Sequence, residues 1–372
     1  MKLTIERGAL LKSLGHVHSV VERRNTIPIL SNVLVEAEDG KLSLTATDMD
    51  LTIIEAVGAE VAEPGAITAP AHTLHDIVRK LPEGAQVELN AMGESGRMAL
   101  TCGRASFTLA TLPKEDFPAT ADGELPQTFT LQAAELKNLV DRTRFAISTE
   151  ETRYYLNGIY VHAAVDNEIP VLRAVATDGH RLARFEMPLP EGAAEMPGVI
   201  VPRKTVGELR KLVDEVDVPI EVSLSDTKIR FAFGSSVLTS KLIDGTFPDY
   251  ERVIPTDNDK IMQVDCKTFA SAVDRVSTIS TEKSRAVKLA VNDGNLTLSA
   301  TSPESGSAIE EMEIGYGGNT IEIGFNSRYL LDIAQQIEGD QAQFALADSA
   351  SPTVVRDLSD SSALYVLMPM RV

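Results

Sequence analysis

One short block comes around three times in this chain. Ala46-Thr47-Asp48, Ala176-Thr177-Asp178 and Ala300-Thr301-Ser302 stand 130 and 124 residues apart, and each closes a short apolar strand. Those strands are Leu42 to Thr45, Leu172 to Val175 and Leu296 to Ser299. The flanking segments repeat in the same order. A strand-then-helix opener reads Leu3-Thr4-Ile5 before Leu10, Leu11 and Leu14. It returns as Phe129-Thr130-Leu131 before Leu136, Leu139 and Val140, and as Met262-Gln263-Val264 before Phe269, Val273 and Val276. A second strand-then-helix unit follows each block, over 67–80, 199–213 and 321–337. A period this long exceeds that of a solenoid, so the repeat predicts three copies of one folded domain.

Pro-, Gly- and acid-rich connectors mark the joints, one from Lys114 to Pro126 and one from Gly245 to Asp259. The expected domains are 1–126, 127–255 and 256–372, each long enough to bury its own core. Period-2 alternation in Val33 to Ala37, Lys41 to Thr45, Gln86 to Leu89 and Lys228 to Phe233 predicts strands. Asp39-Gly40, Asp293-Gly294 and Glu94-Ser95-Gly96 read as hairpin turns. The fold class is α+β, with two helices and about eight strands per copy packed as helices on antiparallel sheet. Three copies would lay six helices on one face.

No apolar run reaches a membrane span, and the N-terminus lacks signal-peptide shape. Cys102 and Cys266 have no metal-type spacing and read as buried, reduced thiols, so a cytoplasmic address is expected. The net charge of −19 argues against a polyanion partner, but its distribution does not. Six helical stretches drawn at 6–24, 71–80, 132–148, 203–215, 267–285 and 326–338 hold 18 Lys and Arg against 12 Asp and Glu. Such a chain can present a basic face to a polyanion and repel it elsewhere, although mixed charge on solvated helices is the plainer reading of charge alone.

Longer motifs add a resemblance. Thr177-Asp178-Gly179-His180-Arg181-Leu182, Arg153-Tyr154-Tyr155-Leu156-Asn157-Gly158, Val201-Pro202-Arg203-Lys204, Phe247-Pro248-Asp249-Tyr250 and Met368-Pro369-Met370-Arg371 resemble the bacterial DNA sliding clamp family, the beta subunit of the replicative DNA polymerase III. The resemblance runs from Met1 to Val372. It implies half of a head-to-tail dimeric ring around duplex DNA, bound without sequence preference. It also implies partners that dock through short linear peptides: the polymerase alpha subunit, the clamp loader, and repair and translesion polymerases. No cofactor, metal or membrane is implied.

Basic side chains on the expected lining helices, Arg24, Arg79, Lys80, Arg203, Lys204 and Arg210, are expected to meet DNA phosphates, with Lys12, Arg23, Arg144 and Lys211 as further candidates. Of these, Arg24, Arg79, Arg203 and Lys204 match family positions in or near the hole. His72 stands where a basic side chain is expected, and Glu150 replaces a neutral one. The dimer seam is expected at Arg104, Phe107 and Leu109 on one edge and at Ile279, Lys283, Glu304 and Glu310 on the other. A peptide pocket is expected around Leu156, Thr177, Gly179, His180, Arg181 and Leu182, then Pro248, Arg252 and Val253, then Asn326 and Tyr329. The tail Val366, Leu367, Met368, Pro369, Met370 and Arg371 completes it, with Ala350 and Pro352 nearby. Two other readings stay open: a repeat scaffold that binds only protein, and a hydrolase built on Asp178 and His180. The chain has no Gly-rich phosphate loop, metal-ligand cluster or nucleophile motif to support the latter.

Overall fold

The computed structural model describes residues 1–91, 96–119, 123–280 and 285–371. The first repeat runs β1 (Lys2–Glu6), α1 (Arg7–His18), β2 (Asn32–Glu38), β3 (Lys41–Thr47), β4 (Leu51–Gly58), β5 (Glu60–Glu63), β6 (Gly65–Pro70), α2 (Ala71–Lys80), β7 (Gln86–Ala91), β8 (Arg97–Cys102) and β9 (Ala105–Ala110). The second runs β10 (Gln127–Leu131), α3 (Ala133–Asp141), β11 (Gly158–Asp166), β12 (Ile169–Thr177), β13 (Arg181–Pro188), β14 (Val199–Pro202), α4 (Arg203–Val213), β15 (Ile220–Leu224), β16 (Lys228–Phe233) and β17 (Ser236–Lys241). The third runs β18 (Lys260–Asp265), α5 (Cys266–Ser277), β19 (Ala286–Asn292), β20 (Asn295–Ser302), β21 (Gly306–Glu313), β22 (Ile321–Asn326), α6 (Ser327–Ala334), β23 (Gln341–Leu346), β24 (Thr353–Asp357) and β25 (Ala363–Leu367).

The repeated block is turn chemistry. In the first copy Thr47 Oγ1 donates to Leu51 O at 3.0 Å and accepts from Met49 N. Asp48 Oδ1 accepts from Asp50 N and Leu51 N. In the second copy Thr177 and Asp178 make the equivalent bonds to Arg181 O, Gly179 N, His180 N and Arg181 N. In the third, Ser302 Oγ accepts from Glu304 N and Ser305 N. A short hydroxyl or carboxylate folds back onto the chain and closes a hairpin each time, which is why these residue types recur. The carboxylate of Asp178 is therefore occupied as a turn former. Glu94 and Ser95 of the expected third hairpin lie outside the described residues, while the other two hairpins form at Asp39-Gly40 and Asp293-Gly294.

The helices are shorter than the sequence pattern suggests. α1 stops at His18, whose Nδ1 sits 3.0 Å from Leu14 O and 3.2 Å from Gly15 O, the acceptor that the N–H of Ser19 would need. α3 stops at Asp141, and Thr143 Oγ1 donates back to Leu139 O at 2.7 Å. Arg23 and Arg24 thus leave the helix, and Arg144 opens a separate 3-10 turn, Arg144–Ala146. The helices as formed still hold twelve Lys and Arg against six Asp and Glu.

The chain divides into two compact units that do not follow the repeats. One comprises Met1–Lys137, Pro190–Pro197 and Lys204–Leu242; the other comprises Asn138–Leu189, Gly198–Arg203 and Ile243–Val372. The second repeat is split between them, which the repeat pattern does not reveal. In the first unit a five-stranded sheet runs β5-β1-β7-β8-β9, and an eight-stranded one runs β10-β15-β16-β17-β4-β3-β2-β6. In the second unit the sheets run β14-β11-β12-β13-β25-β24-β23-β18 and β21-β20-β19-β22. Each eight-stranded sheet fuses a quartet from one repeat with a quartet from the next. The fusions are the antiparallel ladders β17·β4, with Leu238 opposite Ile53, and β13·β25, with Tyr365 opposite Ala183. Leu10, Leu14 and Val17 of α1 and Leu74 and Val78 of α2 are fully buried in the first unit, and α1 packs on β3 and β4. Cys102 and Cys266 are free and buried, and burial pushes the Cys266 thiol up to about 11.

His16 of α1 stitches the first unit. Its Nδ1 lies 3.2 Å from Glu55 Oε2 on β4 and its Nε2 lies 3.1 Å from Glu215 Oε2 beyond α4. Ser236 Oγ donates to Glu55 as well. The bond to Glu55 raises the His16 pKa above its ordinary 6.5, outweighing burial. Burial pushes Glu55 up, but His16 holds it below its ordinary 4.5, and His16 does the same to Glu215. The raised histidine adds stability below pH 6.5 that is lost as pH climbs through its folded value. The lowered carboxylates add stability above pH 4.5 that is lost as pH falls through theirs. We expect His16→Gln to cost about 1–3 kcal/mol near pH 5.5 and clearly less at pH 9, measured as denaturant midpoints at each pH. An equal deficit at both values would show that the ring is neutral in the fold.

Candidate functional site

A cavity of about 340 Å³ opens in the second unit. Its floor is the ladder that joins β13 to β25, where Leu182 stands opposite Val366. Leu182, Val366, Val175 and Leu156 form one buried cluster with Phe247 and Tyr250. Val253 and Met368 project at the rim, 52% and 42% exposed, which is unusual for large apolar side chains with no cover. Thr177, Gly179 and Arg181 supply the polar side. Gly179 has φ +87, and a Cβ there would sit 2.5 Å from Arg153 Nη1. Glycine spares this turn the strain that Met49 bears at φ +80 in the equivalent turn of the first repeat, and it leaves room for the guanidinium packed against it.

Nine of the seventeen expected pocket residues line this cavity: Leu156, Thr177, Gly179, Arg181, Leu182, Pro248, Val253, Val366 and Met368. His180 and Tyr329 line a neighbouring polar cavity instead. Arg252 turns out to Asp249, 2.7 Å away. Asn326 caps α6 by accepting from Arg328 N at 3.0 Å. Leu367 is buried in the sheet, and Met370 N donates to Gly324 O, which carries Pro369 and Arg371 past the opening. Ala350 and Pro352 do not line it; Pro352 O accepts from Asn258.

Four lining residues were not nominated: Arg153, Tyr155, Asp249 and Tyr250. All lie within motifs already quoted, so proximity to nominated Leu156 and Pro248 was the available signal. Tyr250 is held from beneath. Arg173 donates to Tyr250 Oη at 2.9 Å and to Glu186 and Glu251, while His162 Nε2 lies 3.0 Å from the same oxygen. Burial opposes charge on Arg173, but its partners raise its pKa; burial lowers that of His162 and raises that of Tyr250. A charged guanidinium and a neutral imidazole thus fix one wall of an otherwise apolar cleft, the chemistry of a pocket for short apolar side chains.

The basic candidates divide by what already holds them. Lys204 Nζ is engaged by Glu22 and Asp48 at 2.6 Å each and by Val20 O, so its charge is spent within the first unit. Burial pushes Asp48 up, but the bond from Lys204 holds it below the usual carboxylate range. Arg210 pairs with Asp214, Lys211 with Glu208, Lys12 with Glu215 and Arg144 with Asp141. Arg79 lies 3.6 Å from Asp76 and is mostly exposed. Arg24, Lys80 and Arg203 are exposed and have no ion pair among the described residues. His72 Nε2 lies 2.8 Å from Val21 O, tying α2 to the segment after α1, and Glu150 is bound by Arg153 at 2.6 Å.

The seam candidates lie on two free sheet edges. Phe107 is half-buried and Leu109 buried on β9, the last strand of its sheet, and Arg104 is exposed in the turn before it. Glu310 lies on β21, also a last strand, bonded to Arg275 at 2.5 Å; Glu304 is exposed in the preceding turn. Ile279 is half-buried just after α5, and Lys283 lies outside the described residues. Among the described residues no helix is long and apolar enough to cross a membrane, and no three His, Cys, Asp or Glu gather as a metal site.

Three family models match in order along nearly the whole length. Those for the N-terminal, central and C-terminal domains of the DNA polymerase III beta subunit cover residues 1–121, 130–249 and 251–371. The chain is 58% identical to the beta sliding clamp of Caulobacter vibrioides over 372 residues, all of both proteins. It superposes on the C. crescentus beta sliding clamp structure with a TM-score of 0.98, at 58% identity, covering 100% of this chain and 99% of that one. It superposes on the sliding clamp of Bartonella birtlesii bound to griselimycin with a TM-score of 0.97, at 54% identity and 100% of each chain. The chain belongs to the DNA polymerase III beta subunit family, is built of three clamp domains, and is a DNA sliding clamp.

Gly179→Ala is expected to cost about 1–3 kcal/mol through its positive φ and to push Arg153 out of the cavity wall. Thermal melting reads the first effect, and the lost Arg153 bond to Asp178 O, 3.0 Å long here, reads the second in a crystal of the variant. An unshifted melting point with Arg153 in place would contradict both.

Proposed function

We propose that two copies of this clamp close head to tail into a ring around duplex DNA. The ring holds the replicative polymerase on its template and performs no chemistry of its own. The observation that carries this reading is the pairing rule of the strands. β17 pairs with β4, and β25 pairs with β13. β4 and β13 follow the Thr-Asp turn of repeats one and two, as β21 follows that of repeat three. Leu238 stands 131 residues after Phe107, and the turns before them carry Gly103 and Gly234 at φ +57 and +56. β9 is therefore the counterpart of β17, and β21 that of β4. Among the described residues both are unpaired edges. A second copy satisfies both by the rule already used twice. Ile53 and Ala183 translate by the repeat offsets to Ser307, which puts Phe107 opposite Ser307 and Ala105 opposite Ile309. Ile309 is 72% exposed in one chain, as an apolar seam residue should be.

DNA contact falls to side chains that no carboxylate has claimed, Arg24, Lys80 and Arg203, with Arg79 beside them. Such contacts meet phosphates and carry no base code, so the ring slides and topology retains it. The domain limits are taken at 126 and 255. The polymerase alpha subunit, the clamp loader, and repair and translesion polymerases dock through short peptides at the apolar cavity, in the cytoplasm. Support comes from its Leu182–Val366 floor and exposed rim, and from a relative described as bound to griselimycin. Two or three apolar anchors at about 1.5–3 kcal/mol each, less the ordering cost, give about micromolar binding per cavity, loose enough for exchange.

Light scattering should report a dimer for the native chain and a monomer for Phe107→Asp combined with Ile279→Asp; an unchanged mass would place the seam elsewhere. Under oxidation, Phe107→Cys with Ser307→Cys should give a covalent dimer, since Cys102 and Cys266 are buried. Deleting 368–372 should abolish binding of a fluorescent partner peptide while the dimer and its retention on nicked circular DNA persist. Loss of the dimer would mean that the tail is structural.

A further inference from the structure

The first unit holds a smaller cavity, of about 210 Å³, on the ladder that joins β17 to β4. It is the repeat counterpart of the apolar cavity. Thr47 and Pro118 line it as Thr177 and Pro248, each 130 residues later, line the other. Lys241 N donates to Asp50 O at 2.8 Å, and Met368 N donates to His180 O at 2.9 Å, so each ladder meets its turn in the same way. Thr52 stands opposite Thr239 where Leu182 stands opposite Val366. Phe117, just before Pro118, is buried with Ile29 and Leu30, as Phe247 before Pro248 is buried with Leu156. Turn, ladder register and buried Phe-Pro segment are common to both, and the backbone offers the same recess twice.

Four places in the first recess carry side chains that turn an apolar peptide away. Its floor is a pair of hydroxyls, Thr52 and Thr239, in place of two aliphatic chains. An apolar anchor seated there would strip water from both hydroxyls and gain none of the contact that Leu182 and Val366 give. Lys241 takes the place of Met368 and pairs with Asp50 at 2.9 Å, so the rim carries charge instead of a thioether. Met49 takes the place of Gly179. It is held at φ +80, which glycine adopts without strain, and it is 51% exposed. A long side chain therefore projects from a turn whose counterpart is bare backbone. Other lining residues are outside this exchange: Lys228 lies on β16, one strand from the ladder, and Ser240 is buried, as Leu367 is.

We propose that the first junction holds a latent copy of the peptide cavity, and that Met49, Thr52, Thr239 and Lys241 confine peptides with apolar anchors to the second. This inference rests on the reading that partner peptides dock at the apolar cavity. Discrimination between two recesses of one backbone shape needs elements that oppose the wrong one. Here these are two hydroxyls that lose water, an ion pair at the rim and a methionine over the turn. The number of docking sites per chain is then set by four side chains and not by the fold.

The test titrates the full-length protein with a short fluorescent peptide carrying leucine and phenylalanine anchors, using anisotropy for affinity and calorimetry for stoichiometry. The native chain should take one peptide. Met49→Gly, Thr52→Leu, Thr239→Val and Lys241→Met combined should take two per chain, the second within about tenfold of the first, the scale of one imperfect apolar anchor. Leu182→Thr with Val366→Thr should weaken native binding by at least about tenfold, and adding the four exchanges to that pair should restore it. Melting points equal to the native one show that the variants are folded. If the fourfold variant melts early, Thr239→Val with Lys241→Met, which leaves the turn untouched, is titrated in its place and should show a second, weaker binding event. A folded variant of either kind that still takes one peptide would overturn the proposal. So would a native chain that already takes two, since its first cavity would then be open. A native chain that takes none defeats instead the docking reading on which the proposal rests.

Discussion

Two backbone ladders carry the architecture: β17 on β4 and β13 on β25. Each joins strands from different repeats, so neighbouring copies of the domain share one sheet and are not beads on a linker. Main-chain hydrogen bonds set the register of each junction, and side chains then fill it. The apolar cavity inherits its geometry from this arrangement. Its floor residues Leu182 and Val366 are cross-strand neighbours in the second ladder, and the Asp178–Arg181 turn sits at the end of that ladder. A pocket built on a junction cannot loosen without loosening the join between repeats.

The Thr-Asp turn serves two purposes at once. In the first repeat it closes a hairpin, and Asp48 also receives Lys204. In the second it closes the same hairpin, and its outer face becomes cavity wall through Gly179 and Arg181. In the third a serine closes it without a charge. The backbone bonds are common to the copies; what each copy presents outside them differs.

Much of this was legible in the sequence. Helices and strands recur in the order that the apolar periodicities set out, because each repeat must bury one face of each element. Nine of the residues that line the apolar cavity were within reach of the family resemblance. The rest depended on partners far apart in the chain. No pattern around Lys204 shows that Glu22 and Asp48 will capture it, and none around Arg173 shows that it will brace Tyr250. The helix ends are not legible, because His18 and Thr143 look ordinary until their side chains fold back onto carbonyl oxygens. The division of the second repeat was hidden for the same reason: strand identity is local, whereas strand pairing is not.

The free edges β9 and β21 have a kinetic side as well. The two internal ladders form between segments of one chain, so their partners stay at high effective concentration however dilute the protein. The ladder proposed between copies has no such tether. It is the one junction of its kind whose population obeys mass action, and dilution opens it while its two chemical equivalents stay shut. Complementary but non-identical edges also carry no inherent stopping number, so the same contact that closes a ring at two would, with a small change of angle, extend a filament. The angle at that seam, set by a few residues of β9 and β21, decides whether the protein can enclose anything.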